Sequence, residues 1–438
     1  MVRLLQRMVA YLKSLTTIFC VLLIAMFTPK LFVYYAQSQP RADEAPLQAS
    51  FKLGLENISP SLVKSFNTSQ GTSYKVGLIT NQTGKDQHGN RNIDVLRSKG
   101  INIAYIFTPK HGFHADKKGT SADRAIDHTT NIPLIAWDYV FDDASLQSYA
   151  IKHVDVLAFD MQDSGMRQGY VTTLLEAMKI ASSYNKKMIV FDRPNLLGHY
   201  MEGLFVEDEL LGNTPGVPIP LRHGMTSGEL AHYLNKYVLS KSIDLQIVPM
   251  ENYHRTNIKY RSLLSGNLSP NIPTIDACYG YSLLGLLGEI APFDVGIGTD
   301  KVFQCITLPE SIQFPKQKWY ELRSLLKDQG VESRLYRYYS QRKKQYCSGL
   351  TICIRDINDF SSFSTLLVVV TFFKNNGVKL SFSSNFDVAV GTAQLREYLE
   401  GSIPRDDLGV SMNAALRNFF HKAASSFMYT PLPKVVTI

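Results

Sequence analysis

Four short apolar runs, each ending in polar residues, constrain this chain more than any other feature. KVGLITN (75–81), NIAYIF (102–107), VDVLAFD (154–160) and MIVFD (188–192) are apolar almost without a break. A strand that is buried on one face alternates apolar with polar, whereas one that is buried on both reads as a continuous apolar run. Such runs point to a parallel sheet covered by helices on both sides. Helical segments lie between and after them. RNIDVLRSKG (91–100) has apolar residues at 93 and 96 and closes on Gly100, and TTLLEAMKIASSYN (172–185) has a helical pattern. MTSGELAHYLNKYV (225–238) opens with Thr226 and Glu229 at capping-box spacing. The expected fold is α/β, with a Rossmann-like parallel sheet.

In an open parallel sheet the carboxyl ends of the strands share one edge, and ligands bind there. The first run ends in Asn81, Gln82 and Thr83; the second in Thr108, Pro109, Lys110 and His111. The third ends in Asp160, Gln162, Asp163 and then Arg167; the fourth in Asp192, Arg193 and, after a proline, Asn195. Four strands delivering Asn, Gln, His, Asp and Arg to one rim exceed what solvated loops and helix caps need, although Asp192 and Arg193 could also pair with each other. Arg222 and His223 precede the capped helix, where a helix N-terminus beside two cations suits a carboxylate. His223 could equally order that loop. No GxGxxG follows a strand and there is no P-loop Lys-Ser/Thr, so nucleotide and dinucleotide fingerprints are excluded, and GxSxG is absent too. His88, His111, His114 and His128 are scattered without ligand spacing. Neither a metal nor a cofactor is expected.

At 438 residues the chain has room for two domains, and its texture changes near 240. DLQIVPM (244–250), TICIRDI (351–357) and LLVVVTFF (366–373) read as strands, and helices follow at 392–400 and 411–424. The expected organisation is residues 1–48 as leader and linker, 49–240 as the Rossmann-like domain, and 241–438 as a second α/β domain completing a cleft. The leader combines Arg3, Arg7 and Lys13 with an apolar run from Leu15 to Phe27. It reads as an uncleaved signal anchor in preference to a cleaved signal peptide, because Tyr34 occupies a position where cleavage favours a small residue. The bulk of the chain would then lie outside the cytoplasm, periplasmic or at the cell surface, meeting the membrane only through this segment. The net charge of +8 favours an anionic partner, but no basic cluster interleaved with aromatics marks a nucleic-acid surface. Cys278, Cys305, Cys347 and Cys353 form no CxxC; Cys347 and Cys353 could pair, and buried free thiols fit equally.

The assembled motifs resemble those of the NamZ-type exo-β-N-acetylmuramidases, exported bacterial proteins long classed as a domain of unknown function. KVGLITNQTG resembles the family's opening strand and turn, and VDVLAFDMQDSGMR its D-x-Q-D-x-G-x-R segment. FDRPNLLG resembles D-R-P-N-P-L-G with Leu196 for the second proline, and IPLRHGMTSGELA is close to the family pattern throughout. LSPNIPT and GIGTDKVF follow SPN-x-P-T and GRGT, with Ile297 in place of the arginine. The resemblance covers about Tyr74 to Tyr429. It implies two α/β domains with the site between them, and release of terminal N-acetylmuramic acid, a sugar with a lactyl carboxylate, from the non-reducing ends of peptidoglycan fragments.

Three departures fall on the proposed site: His114 stands where the family commonly has an arginine, the tyrosines after the D-x-Q-D-x-G-x-R segment are altered to QGY (168–170), and the third bears on the chemistry itself. FTPKHGFH resembles the family's F-x-P-E-H-G, whose glutamate is the proposed catalytic acid, and here that position is Lys110. A lysine titrates near ~10.4 and is a poor proton donor to a sugar oxygen, so Lys110 is better suited to hold an anion. The remaining candidates for catalysis are His111, Asp160, Asp163 and Glu289, the last matching a family glutamate before the GRGT-like turn. Asn81, Lys110, Gln162, Arg167, Asp192, Arg193, Asn195, Arg222 and His223 are the candidates for substrate binding. Two functions stay open: a glycoside hydrolase acting through a relocated acid, and a muramyl-sugar-binding protein that has lost turnover.

Overall fold

In the computed structural model the apolar runs divide their side chains between two cores. Val76 and Leu78 pack with Val156, Ala158, Ile189 and Phe191 on one face of a sheet. Ile79, Leu157, Phe159, Met188 and Val190, the alternate residues, pack on the other. The structure describes residues 51–438 apart from 69, 110–112, 114–124, 138–145, 168–169, 208–209, 211–215 and 258–266. The leader, Lys110, His111 and His114 lie outside the described residues. Among the described residues no helix is long and apolar enough to cross a membrane.

The sheet has seven strands. In chain order they are β1 (Val76–Thr80), β2 (Ile103–Thr108), β3 (Ala125–Ile126), β4 (Pro133–Ala136), β5 (Val156–Asp160), β6 (Lys187–Phe191) and, after the separate β7 (Tyr200–Met201), β8 (Leu245–Val248). Their order across the sheet is β3-β4-β2-β1-β5-β6-β8, parallel except for β3 against β4. From β1 the chain first builds outward through β2 and β4, then returns to place β5 on β1's other side. The order therefore reverses between β1 and β5, which opens a crevice at their carboxyl ends. β8 lies beyond the expected boundary at 240 but hydrogen-bonds to β6 at the edge of this sheet.

The C-terminal half carries a three-stranded antiparallel sheet of β10 (Cys305–Pro309), β11 (Val331–Ser340) and β12 (Gln345–Ile354), introduced by the short β9 (Ile290–Ala291). Helices Ile275–Leu287, Lys316–Asp328 and Ser362–Asn375 pack around it. The segment 366–373, expected as a strand, lies inside the last of these helices. Ser361 caps that helix by accepting the Ser364 N–H, and the helix buries residues on most of its circumference, which removes the periodicity that separates helix from strand. The apolar cluster on one face of the large sheet continues unbroken into this half, through Leu283, Phe293 and Phe363. Cys278, Cys305, Cys347 and Cys353 are all free thiols.

Candidate active site

The crevice between β1 and β5 collects most of the rim residues, but it uses them unequally. At the end of β1, Asn81 Oδ1 accepts the Thr83 N–H at 2.9 Å and the Thr83 hydroxyl at 2.6 Å. The Thr83 hydroxyl oxygen in turn accepts the Gln162 N–H at 2.9 Å, which ties the two strand ends together.

Asp160, a catalytic candidate from the sequence, is engaged by neighbouring side chains. Its carboxylate takes Arg193 Nε at 2.5 Å, Arg193 Nη2 at 2.9 Å and Asn92 Nδ2 at 2.8 Å, and both Asp160 and Arg193 are sealed from solvent. The neighbours Asp192 and Arg193 do not pair through their side chains. Asp192 Oδ1 accepts the Gly228 N–H at 2.7 Å, and Oδ2 accepts the hydroxyls of Thr226 at 2.9 Å and Tyr429 at 2.6 Å. The carboxylate expected at the N-terminus of helix Ser227–Tyr237 is therefore the protein's own. A side chain at Gly228 would strike the Asp192 carboxyl, so glycine permits the approach. Burial pushes the Asp192 carboxyl up to about 6, against the pull of these hydrogen bonds.

Three other expected ligand-binding residues also serve the scaffold. Arg167 Nη1 donates to the carbonyls of Leu204 and Ile219, and its Nη2 to those of Ala389 and Val390. Burial lowers this guanidinium to about 10. Arg222 pairs with Glu202 at 2.8 Å and donates to the carbonyls of Leu197, Ile357 and Phe360. Asn195 accepts the Leu197 N–H and donates to the Met225 carbonyl. Arginine suits such clamps because its planar fork serves several carbonyls at once. Glu289 accepts the Ser383 hydroxyl at 2.6 Å and is not among the residues lining the cavity described next.

What remains is a small cavity of about 210 Å³ lined by Gln162, Asp163, Ser164, Tyr170, Asn271 and Tyr281. Its far wall is the segment 268–274. Gln82 donates to the Asn267 carbonyl at 2.6 Å and Tyr170 to that of Leu268 at 2.8 Å, which fastens this wall to the sheet. Asp163 Oδ2 accepts the Gly165 N–H at 2.7 Å, and His223 Nε2 approaches it at 3.5 Å. The Met225 N–H donates to His223 Nδ1, so in the neutral ring the proton sits on Nε2 and faces Asp163. Gly165 lies at φ +101, and a side chain there would collide with the Asn195 amide, so this turn requires glycine to aim Asp163. Among the described residues, Asp163 Oδ1 and Gln162 Oε1 are buried without a hydrogen-bond partner. Two orphaned acceptors at one cavity suit the hydroxyl and amide protons of a sugar.

Sequence reasoning placed Tyr170 only within the altered QGY and missed Asn271 and Tyr281. Asn271 belonged to a recognised motif, but nothing in its spacing gave it a place opposite Asp163. Tyr281 sits on a helix buried on most sides, where no face stands out. Burial first, then the Asp163 carboxylate, push its phenol up to about 12, so it stays protonated and can donate.

Residues 76–276 match the family model described as Exo-beta-N-acetylmuramidase NamZ, N-terminal, and residues 279–429 match its C-terminal counterpart. Over 378 residues the chain is 29% identical to the Peptidoglycan beta-N-acetylmuramidase NamZ of Bacillus subtilis (strain 168), spanning 84% of this chain and 88% of that protein. A crystal structure of a DUF1343 family protein from Bacteroides fragilis NCTC 9343 superposes with a TM-score of 0.74 at 27% identity, over 87% of this chain and 99% of that one. A second DUF1343 protein from the same organism, 23% identical with a TM-score of 0.64, shares the fold over the same fractions.

Proposed function

The chain belongs to the NamZ exo-β-N-acetylmuramidase family, and on that premise we propose that it hydrolyses terminal β-1,4-linked N-acetylmuramic acid from the non-reducing ends of peptidoglycan fragments, outside the cytoplasm. The observation that carries this reading is Asp163: a buried carboxylate lining the cavity, with one oxygen accepting the Gly165 N–H and approached by His223 at 3.5 Å, and the other without a hydrogen-bond partner. Glycoside cleavage develops positive charge on the sugar ring, and a fixed carboxylate at the ring stabilises it. Asp163 takes that role here. His223 positions Asp163, Tyr281 and Gln162 hold the sugar, and His111 supplies the proton to the leaving oxygen, since imidazole titrates near neutrality. Lys110 holds the lactyl carboxylate. The test is to incubate the protein with soluble peptidoglycan fragments and identify the products by mass spectrometry. Successive release of single N-acetylmuramic acid residues supports the reading, and release of internal disaccharides would refute it.

A second reading rests on the same cavity. Its described lining contains a single carboxylate, whereas cleavage of this bond usually uses two. A protein that binds the muramyl end without turning it over would retain affinity in the same experiment and yield no product.

A further inference from the structure

A second groove, of about 790 Å³, lies in the C-terminal half between helix Lys316–Asp328 and the ends of β11 and β12. It is lined by five cations, Lys301, Arg323, Lys327, Arg334 and Arg355, against one carboxylate, Glu332. Glu332 is paired with Arg355 at 2.8 Å. Among the described residues the other four cations form no ion pair, although Arg334 also acts on Glu332, so the groove holds an excess of positive charge. Like charges gathered in one groove repel one another, and an anion relieves that repulsion.

Two observations choose among anions. Tyr320, 41% exposed as a residue, lines the groove, and Arg323 lies over its ring at 5.8 Å. An exposed aromatic face beside cations suits a sugar ring that bears carboxylates, whereas inorganic polyphosphate gains nothing from the ring. The turn 301–304 also links the groove to the sugar cavity: Lys301 and Gln304 line the first, and Phe303 lines the second.

We infer that this groove holds the carboxylate-bearing glycan chain of the peptidoglycan fragment, as an accessory site for the substrate whose terminal sugar occupies the cavity at Asp163. The inference rests on the muramyl-sugar reading of that cavity. Lys327 and Arg334 are exposed and unpaired, so reversing their charge leaves the fold intact. The experiment measures binding of the full chain, wild type and K327E/R334E, to soluble uncross-linked peptidoglycan strands, to a neutral N-acetylglucosamine hexamer and to sodium polyphosphate. Turnover of a chromogenic N-acetylmuramide is measured in parallel. The wild type should bind strands more tightly than either control, with an affinity that falls as salt is added. The double variant should bind strands about tenfold more weakly and keep wild-type turnover of the short substrate. Unchanged strand affinity in the variant, or tighter binding of polyphosphate than of strands, would overturn the inference. Weakened strand binding in the variant with no turnover in either protein would support the groove while removing the hydrolase reading.

Discussion

Asp160, the last residue of β5, and Arg193 form a two-point ion pair with neither side chain open to solvent. The pair marks the line between the residues that build this site and those that can act in it. Asp160→Asn and Arg193→Ala each leave a buried charge without its partner, which costs about 3–5 kcal/mol. Urea denaturation should show that loss in both variants. Folded Asp160→Asn should retain substantial activity per molecule, since its carboxylate never reaches the cavity.

Asp192 makes stability depend on pH. Its carboxyl is raised from 3.8 to about 6 in the folded protein, so between those values the folded state binds a proton that the unfolded state has released. Its contribution to stability is therefore fully present below pH ~4 and lost as pH rises through ~6. Relative to Asp192→Asn, the wild type should lose on the order of 3 kcal/mol across that window. Melting temperatures of the two proteins from pH 4 to 7 check this, and parallel curves would exclude it.

Arg167 joins the turn after β5 to carbonyls at Ala389 and Val390, more than two hundred positions along the chain. Replacing it with alanine orphans several buried carbonyls, so a loss of about 2–4 kcal/mol is expected. Lysine should restore little, because one ammonium cannot span the same acceptors. Urea midpoints of the two variants measure both effects.

His223 acts through Asp163, so its removal should affect rate more than binding. His223→Ala is expected to lower kcat by about ten- to a hundredfold with a small change in KM, the pattern of a positioning residue. A rise in KM at constant kcat would instead make His223 a binding group.

The β1, β2, β5 and β6 strands were legible because burial on both faces leaves an unbroken apolar run, and Thr226 and Glu229 announced a helix start that the structure contains as a reciprocal cap. The helix at 362–375 was not legible, because burial erases helical periodicity as readily as it erases strand alternation. At the rim, sequence gathered candidate residues and could not rank them. Asp160, Asp163 and Asp192 look alike in sequence. Their roles diverge through partners distant in the chain: Arg193 for the first, His223 for the second, and Thr226, Gly228 and Tyr429 for the third.

The most direct test is turnover of a chromogenic N-acetylmuramide by wild type and Asp163→Asn, with folding of both verified by circular dichroism. The account predicts release by the wild type and at least a hundredfold loss in the variant, which still binds the sugar. Equal turnover by the two proteins would contradict it.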